Sequence, residues 1–366
     1  MSPFPDLICL SCGSTYAVDS LAWHCGCGGV FDIAAGGTPL SAPADRNSLW
    51  RYESVLPVPF DERLSLGEGM TPIVRSRTRP DVRFKLDFLM PTSSFKDRGA
   101  VVLATLAARL GVRSALTDSS GNAGTSAAAY LGRAGIACRV YVPEATSPSK
   151  LTQMRAHGAE VVPVPGPRAA AAAAARAAAD QQGVLYASHV YHPYFLQGVK
   201  TYGYEIWEQT GRTLPDTVVV PAGNGTLVLG CYLAFRELVA GGLAERLPTL
   251  VAVQAAACAP VARAFGNGAD VVDGVAPGPT IAEGIAIAAP PRGAQMLAAI
   301  RACNGSVVTV DDDDVIAARA DLAAEGLYVE PTSAVCWAAV RAEAHESLRD
   351  GDIVVPLCGG GLKVPG

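Results

Sequence analysis

The sequence predicts an α/β protein with a mostly parallel sheet, preceded by a small module of a different kind. Three observations carry this. From about residue 70 onward, short β-branched runs alternate with Ala- and Leu-rich stretches of helical length. Residues 1–36 hold four of the ten cysteines and several turn glycines, with no long helical pattern. The composition is globular: of 366 residues, 50% are hydrophobic and 17% charged, too apolar and too weakly charged for disorder.

The same arithmetic excludes several classes. At roughly 100–200 residues per domain the chain holds two or three units, ample for a buried core. A formal net charge of -5 argues against a nucleic-acid partner, which calls for a basic excess, and against a surface that adheres to anionic lipid. No apolar run of about 20 residues escapes interruption, so no membrane span is expected. The N-terminus, MSPFPDLICL, has neither the basic region nor the apolar core of a secretory signal. The dispersed cysteines are then expected as reduced thiols, except where spacing points to metal. A cytoplasmic enzyme is the expectation.

In chain order, residues 1–36 read as a knuckle-and-strand module. Residues 37–66, Pro-rich and polar with Trp50 and Tyr52, read as a connecting arm. Strands are then expected at 82–86, 115–117, 137–142, 160–164, 217–220, 250–253, 306–310 and 353–357. Strands alternating with helices make βαβ units and parallel pairing. Residues 168–180, RAAAAAAARAAAD, look like low complexity. Ala is the best helix former, so a surface helix without a functional role is expected there.

Five clusters carry chemistry. Cys9, Cys12, Cys25 and Cys27 form two close pairs that can offer tetrahedral zinc four soft ligands from two tight turns. The second pair is CxC, one residue shorter than the usual knuckle. Two readings stand: a structural zinc, with His24 available for a misdirected cysteine, or a ribbon that keeps its fold without metal. A closed four-ligand site has no open position, so the role is structural in either case.

Pro91-Thr92-Ser93-Ser94-Phe95-Lys96-Asp97-Arg98-Gly99 puts Lys96 at a strand-to-helix turn, ahead of a helix expected from Ala100. Of 29 basic residues only five are lysine: Lys85, Lys96, Lys150, Lys200 and Lys363. A cation at a helix N-terminus opposes the macrodipole, which makes an ordinary surface lysine a poor account of Lys96. A partly desolvated Schiff-base nucleophile is a better one, because burial makes the neutral amine available.

Ser119-Ser120-Gly121-Asn122-Ala123-Gly124 ends the strand at 115–117 and opens a helix expected at 125–131. Its small residues leave backbone N–H groups free for an anion, although a plain βα turn reads equally well. Pro221-Ala222-Gly223-Asn224-Gly225-Thr226 is a glycine turn between a strand and a helix. It is neither a P-loop nor a dinucleotide fingerprint, so it points to a monophosphate without a nucleotide. Cys358-Gly359-Gly360-Gly361-Leu362-Lys363 follows the last strand, where open α/β sheets bind ligands. A buried structural thiol is the alternative for Cys358.

Together and in this order, PTSSFKDRG, SSGNAG, PAGNGT and CGGGLK resemble the fold-type II pyridoxal-phosphate enzymes, and among them the threonine synthase family. Leu66-Gly67-Glu68-Gly69-Met70-Thr71-Pro72 and Gln197-Gly198-Val199-Lys200-Thr201 are similar to further segments of that family. The cysteine-rich ribbon also occurs in some threonine synthases and in related cysteate synthases. The resemblance implies two three-layer α/β domains with mostly parallel sheets and the cofactor between them. A small mobile domain would span 118–195, and a large one 37–117 with 196–366. A homodimer is the expected assembly.

By the same resemblance, Lys96 would hold pyridoxal phosphate covalently, with Phe95 beside it. Asn122 would bond the ring's phenolic oxygen, and Gly223, Asn224, Gly225 and Thr226 the phosphate. Cys358 would sit by the ring nitrogen, where the family has Ser or Thr. Ser94, Ser119, Ser120 and Thr125 would meet the amino-acid substrate. Lys150, Arg155 and Lys200 are candidates for a substrate phosphate. Ser93 and Met90 depart from the frequent Gly and Asn of the family.

A neutral partner at the ring nitrogen weakens the cofactor as an electron sink, which suits elimination and replacement over transamination. The expected activity is that of a lyase in amino-acid biosynthesis, making threonine and phosphate from O-phosphohomoserine and water. The alternative is β-replacement or β-elimination on serine, phosphoserine or threonine. A ribbon-bearing binding protein on an inactive scaffold is the non-catalytic reading, and the retention of Lys96 and the glycine turn argues against it.

Overall fold

The computed structural model describes residues 2–34, 40 and 43–363. The module boundary expected at 36–37 lies outside the described residues. The strands are β1 (Leu7–Cys9), β2 (Thr15–Tyr16), β3 (Phe31–Ile33), β4 (Ile73–Arg75), β5 (Val82–Lys85), β6 (Ser114–Thr117), β7 (Ala137–Pro143), β8 (Glu160–Val164), β9 (Leu185–Tyr186), β10 (Thr217–Pro221), β11 (Thr249–Ala255), β12 (Ser306–Val310) and β13 (Ile353–Pro356). The helices are α1 (Lys96–Arg109), α2 (Asn122–Arg133), α3 (Pro148–Ala156), α4 (Arg168–Gln182), α5 (Pro193–Val199), α6 (Thr201–Gln209), α7 (Thr226–Ala240), α8 (Pro260–Gly266), α9 (Gly293–Ala302), α10 (Asp312–Ala324) and α11 (Pro331–Arg341). None is long and apolar enough to cross a membrane.

Packing divides the chain into two units, each built from separated segments. The first takes the chain up to Glu68, then 96–199, and Lys363; the second takes 69–95 and 200–362. The sequence reading assigns 96–117 to the large domain. Here α1 packs on α2 and α5 within the first unit, and glycine makes this possible. A Cβ on Gly99 would lie 2.3 Å from the Phe195 ring, and one on Gly198 would lie 2.0 Å from the Arg98 carbonyl oxygen.

The first unit holds two sheets. One is antiparallel, in the order β2-β1-β3; the other is wholly parallel, in the order β8-β7-β6-β9. Pro163 lies in β8, at the edge, where a missing N–H costs no ladder bond. The alanine-rich stretch is α4, and it is more than a surface helix. Ala171, Ala175, Ala178 and Ala179 are buried, the i, i+4, i+7, i+8 spacing of a single face. Ala175, Ala178 and Ala179 join a cluster with Leu116, Tyr141 and Tyr186.

The second unit is a six-stranded sheet in the order β12-β11-β10-β13-β5-β4. All neighbours run parallel except the edge strand β4, which is antiparallel to β5. Central strands of a parallel sheet are covered on both faces, so they read as continuous apolar runs. Thr217–Pro221 and Ile353–Pro356 are buried at every residue. Trp337 of α11 packs edge-on against Phe84 of β5, with centroids 5.2 Å apart, inside the core of this unit.

Every strand expected from the sequence is present, with bounds within two residues. Two helices begin earlier than expected: α1 at Lys96 rather than Ala100, and α2 at Asn122 rather than Thr125. Both candidate functional residues are therefore the first residues of their helices. Strands β4 and β9 were not expected; three and two residues long, they are too short to show an alternating pattern.

Candidate active site

In the first unit, Lys96 is half-buried while Asp97, Arg98 and Gly99 behind it are buried. Ser126 Oγ of α2 donates to Asp97 Oδ1 at 2.6 Å. This ties the first turn of the lysine's helix to the helix that Asn122 opens. The Ser119–Gly124 loop is wound tightly: a Cβ on Gly124 would fall 1.8 Å from the Ser119 carbonyl oxygen. Thr125 N–H donates to the Gly121 carbonyl at 3.1 Å. Ser119 and Thr125 are buried, and Ser120 and Asn122 are half-buried. Lys363 Nζ donates to Asn122 Oδ1 at 3.1 Å, bringing the last of the five lysines to this loop.

Sequence reasoning passed over His189. It is 6% exposed, with its ring edge-on to Phe195 at 6.0 Å. Burial holds its imidazole well below the usual range, and the positive charges of Lys96 and Arg168 add to this. A buried neutral imidazole in the field of Lys96 carries no sequence signal, because the pair is 93 positions apart.

In the second unit, two motifs far apart in the chain are stitched together. Phe95 N–H donates to the Cys358 carbonyl at 2.9 Å, and Gly360 N–H to the Ser93 carbonyl at 3.0 Å. Ser94 and Gly359 form an antiparallel bridge. Phe95 and Cys358 are buried, at 8% and 2% exposure. Ser93 has φ +58°, a left-handed backbone that glycine adopts at no steric cost. That is the physical content of the Gly-to-Ser departure. Glu330, the residue before α11, is a second omission of the sequence reading. A Cβ on Gly359 would lie 2.4 Å from its carboxylate, and its N–H donates to the Gly359 carbonyl at 3.0 Å.

The glycine turn joins β10 to α7. Gly225 has φ +85° and precedes the helix, and Leu229 N–H makes a bond back to its carbonyl at 2.9 Å. A Cβ on Gly225 would meet Met296 Sδ at 2.5 Å, and one on Gly223 would meet Ile285 Cα at 2.9 Å. Only glycine fits at either position. The first N–H groups of a helix lie outside its internal ladder and favour an anion. The turn therefore has the geometry and the dipole for a phosphate.

Each unit leaves a buried hydroxyl unsatisfied. Ser94 Oγ and Thr117 Oγ1 are buried hydroxyls without a hydrogen-bond partner among the described residues. Such a group costs about 1–3 kcal/mol unless a ligand or water completes it. One precedes Phe95-Lys96, and the other ends the strand before Ser119. Each unit by itself carries groups that suit a carbonyl cofactor with a phosphate tail: the first an amine at a helix start, the second a glycine cradle.

The phosphate candidates separate. Lys150 is half-buried in the first turn of α3, and Arg155 is exposed. Lys200 is 1% exposed and pairs with Glu237 at 3.0 Å. Tyr204 donates to the same carboxylate. A buried lysine committed to a half-buried acid of its own unit is a structural charge, so Lys200 is withdrawn as a substrate-phosphate ligand. Lys85 is likewise engaged: its ammonium donates to Glu205 Oε2 at 2.6 Å, to the Thr71 carbonyl at 2.5 Å and to Gln209 Oε1 at 3.0 Å.

At the N-terminus the four cysteine sulfurs lie within 4.8 Å of one another. Cys9 and Cys27 are 3.5 Å apart, as are Cys12 and Cys25. Four sulfurs at about 2.3 Å from a tetrahedral zinc would be about 3.8 Å apart, so the set fits. The short second pair reaches because Gly28 has φ +82° and a Cβ on Gly29 would lie 2.6 Å from Cys9 Sγ. His24 Nδ1 instead contacts the Cys25 carbonyl at 2.8 Å, so the histidine is not needed. Hydrogen bonds with the Ser14 side chain and backbone, then with Cys25 and Cys27, lower the Cys12 thiol to about 6. Against the backbone hydrogen bond with Gly29, those with Cys9, Cys12 and Cys25 push the Cys27 thiol up to about 12, so the four share protons unevenly until a metal displaces them.

The family described as pyridoxal-phosphate dependent enzyme matches residues 64–359. The threonine synthase of Methanocaldococcus jannaschii is 33% identical, covering 98% of this chain and 92% of that protein. That of Mycobacterium tuberculosis H37Rv is 32% identical, covering 86% and 88%. Among solved structures, a threonine deaminase from T.th. has a TM-score of 0.68 at 27% identity, covering 79% of this chain and 92% of that one. Maize serine racemase, at 20% identity and a TM-score of 0.68 over 80% and 88%, shows the fold alone. Parallel α/β sheets, a lysine opening one helix and a glycine turn opening another define a fold-type II enzyme that uses pyridoxal phosphate. The chain belongs to the threonine synthase-like family of these enzymes.

Proposed function

We propose that this enzyme converts O-phosphohomoserine and water to threonine and phosphate. The observation that carries the reading is the 33% identity to a threonine synthase along 98% of the chain, cysteine module included. Bound pyridoxal phosphate supplies an electron sink for charge at the amino acid's α-carbon. Lys96 would hold it covalently, and its amine would take the α-proton. Gly223, Asn224, Gly225 and Thr226 would hold the phosphate tail, Asn122 the phenolic oxygen, and Cys358 the ring nitrogen, with Phe95 beside the cofactor. Ser94, Ser119, Ser120 and Thr125 orient the substrate, and Lys150 faces its phosphate. Zinc at Cys9, Cys12, Cys25 and Cys27 is structural.

A second reading, β-elimination or β-replacement on serine, phosphoserine or threonine, draws support from the 27% identical threonine deaminase fold neighbour. One assay separates the two. Purified holoenzyme is offered O-phosphohomoserine, serine, phosphoserine and threonine, with phosphate, ammonia, 2-oxo acid and threonine measured. Equimolar phosphate and threonine from O-phosphohomoserine is the expected result. Lys96→Ala is expected to lower it by at least about 10³-fold. Ammonia and 2-oxo acid from serine or threonine, with no phosphate from O-phosphohomoserine, would replace the first reading by the second.

A further inference from the structure

We propose that the N-terminal cysteine module positions the 118–125 loop, acting through Trp23, Tyr186 and Asp118, and so sets how tightly substrate is held. The inference rests on the proposed function only in giving that loop to the substrate. Trp23 lies two residues before Cys25. Its Nε1 donates to Asp180 Oδ1 of α4 at 2.7 Å. Its ring stands edge-on to Tyr186 at 5.4 Å and to Tyr191 at 5.0 Å. Tyr186 is the last residue of β9 and 1% exposed. Its hydroxyl donates to Asp118 Oδ1 at 2.9 Å. Asp118 directly precedes Ser119, so one aromatic relay runs from the cysteine turns to the first residue of the loop.

Packing alone does not account for this arrangement. A phenylalanine would fill the core against Trp23 equally well, whereas a buried phenol costs free energy unless it is hydrogen-bonded. That bond is spent on the loop's carboxylate. Among the described residues, the Tyr186 hydroxyl is the only hydrogen-bond partner of the Asp118 side chain. Next to Asp118 the hold is light: the bond from Gly121 N–H to Ser119 Oγ is 3.4 Å long, and the firmer ties of the loop lie at Asn122 and Thr125. The Tyr186 hydroxyl also meets the Ser188 side chain, so removing the phenol frees the start of the loop together with that one hydroxyl. Tyr186 and Trp23 are positioning residues on this account, with no contact to the reacting atoms.

The test uses holoenzyme carrying Tyr186→Phe, Trp23→Leu, or both. Amide hydrogen exchange at 118–125 is expected to speed about tenfold in each single variant, and no further in the double variant, because both changes cut one relay. KM for the amino-acid substrate is expected to rise about tenfold, with kcat within about twofold and the cofactor's visible absorbance unchanged. Tyr186→Phe keeps the ring and the fold, so it decides the matter even if Trp23→Leu does not fold. Wild-type exchange at 118–125 in Tyr186→Phe overturns the proposal, as does additive exchange in the double variant. Exchange is read without substrate, so loss of the threonine synthase reading leaves this outcome intact, and the reverse holds too.

Discussion

Ser93 holds a backbone conformation that costs a non-glycine residue on the order of 1–3 kcal/mol, and it does so because its carbonyl is fixed by Gly360 N–H. Ser93→Gly is therefore expected to stabilise the protein by about 1 kcal/mol after the added freedom of the unfolded chain is subtracted. Urea midpoints of the two proteins measure it. A second residue-scale expectation concerns His189. Its folded pKa lies well below the ordinary 6.5, so between the two values the unfolded chain binds a proton that the folded chain does not. Stability is then full above about pH 6.5 and falls as pH drops, with a slope of up to about 1.4 kcal/mol per pH unit. His157 is lowered too, by burial and then by Lys363. His189→Gln should flatten the loss measured between about pH 7.5 and about pH 5.5; an unchanged slope would show that other groups carry it. Lys96 was legible because a scarce lysine at a helix start is physically awkward. His189 was not, because its importance comes from a charge distant in sequence.

At the scale of elements, the long apolar runs were legible and the short ones were not. β10 and β13 lie in the middle of a parallel sheet, so Val218–Val220 and Ile353–Val355 within them are uninterrupted Val and Ile. β4 and β9 have no such constraint. The helix of alanines was legible as a helix, but its buried face was not, since alanine marks both faces alike. The segment 69–72 shows what pattern reading misses. It is pinned by Lys85 of β5 and Glu205 of α6, both fully buried: Lys85 donates to the Thr71 carbonyl, and Met70 N–H donates to Glu205 Oε1 at 2.8 Å. Lys85→Met is expected to destabilise by about 3–5 kcal/mol, because Glu205 is left as an uncompensated buried charge. Lys85→Met with Glu205→Leu should recover most of that loss in a denaturant titration. Recovery of none would mean the pair acts through Thr71 and Met70 rather than through charge.

For the whole molecule, the motifs were legible as separate segments, but their places in the fold were not. The chain passes between its two units at 68–69, 95–96, 199–200 and 362–363. Each crossing falls within a segment singled out from sequence: LGEGMTP, PTSSFKDRG, QGVKT and CGGGLK. Nothing in local pattern marks a residue as a crossing, since that depends on partners hundreds of positions away. β13 makes the point most sharply. It lies between β10 and β5 in the six-stranded sheet, yet it follows every other strand of that sheet in the chain. Until residues 353–356 emerge from the ribosome, two apolar strands wait with bare edges facing the gap, and such edges recruit other chains. A chain stopped at residue 350 is expected to sediment as aggregate rather than as a slightly smaller soluble protein. In a cell, each nascent copy would need sheltering until residues 353–356 appear, which makes that strand the step that commits the second unit to its native state.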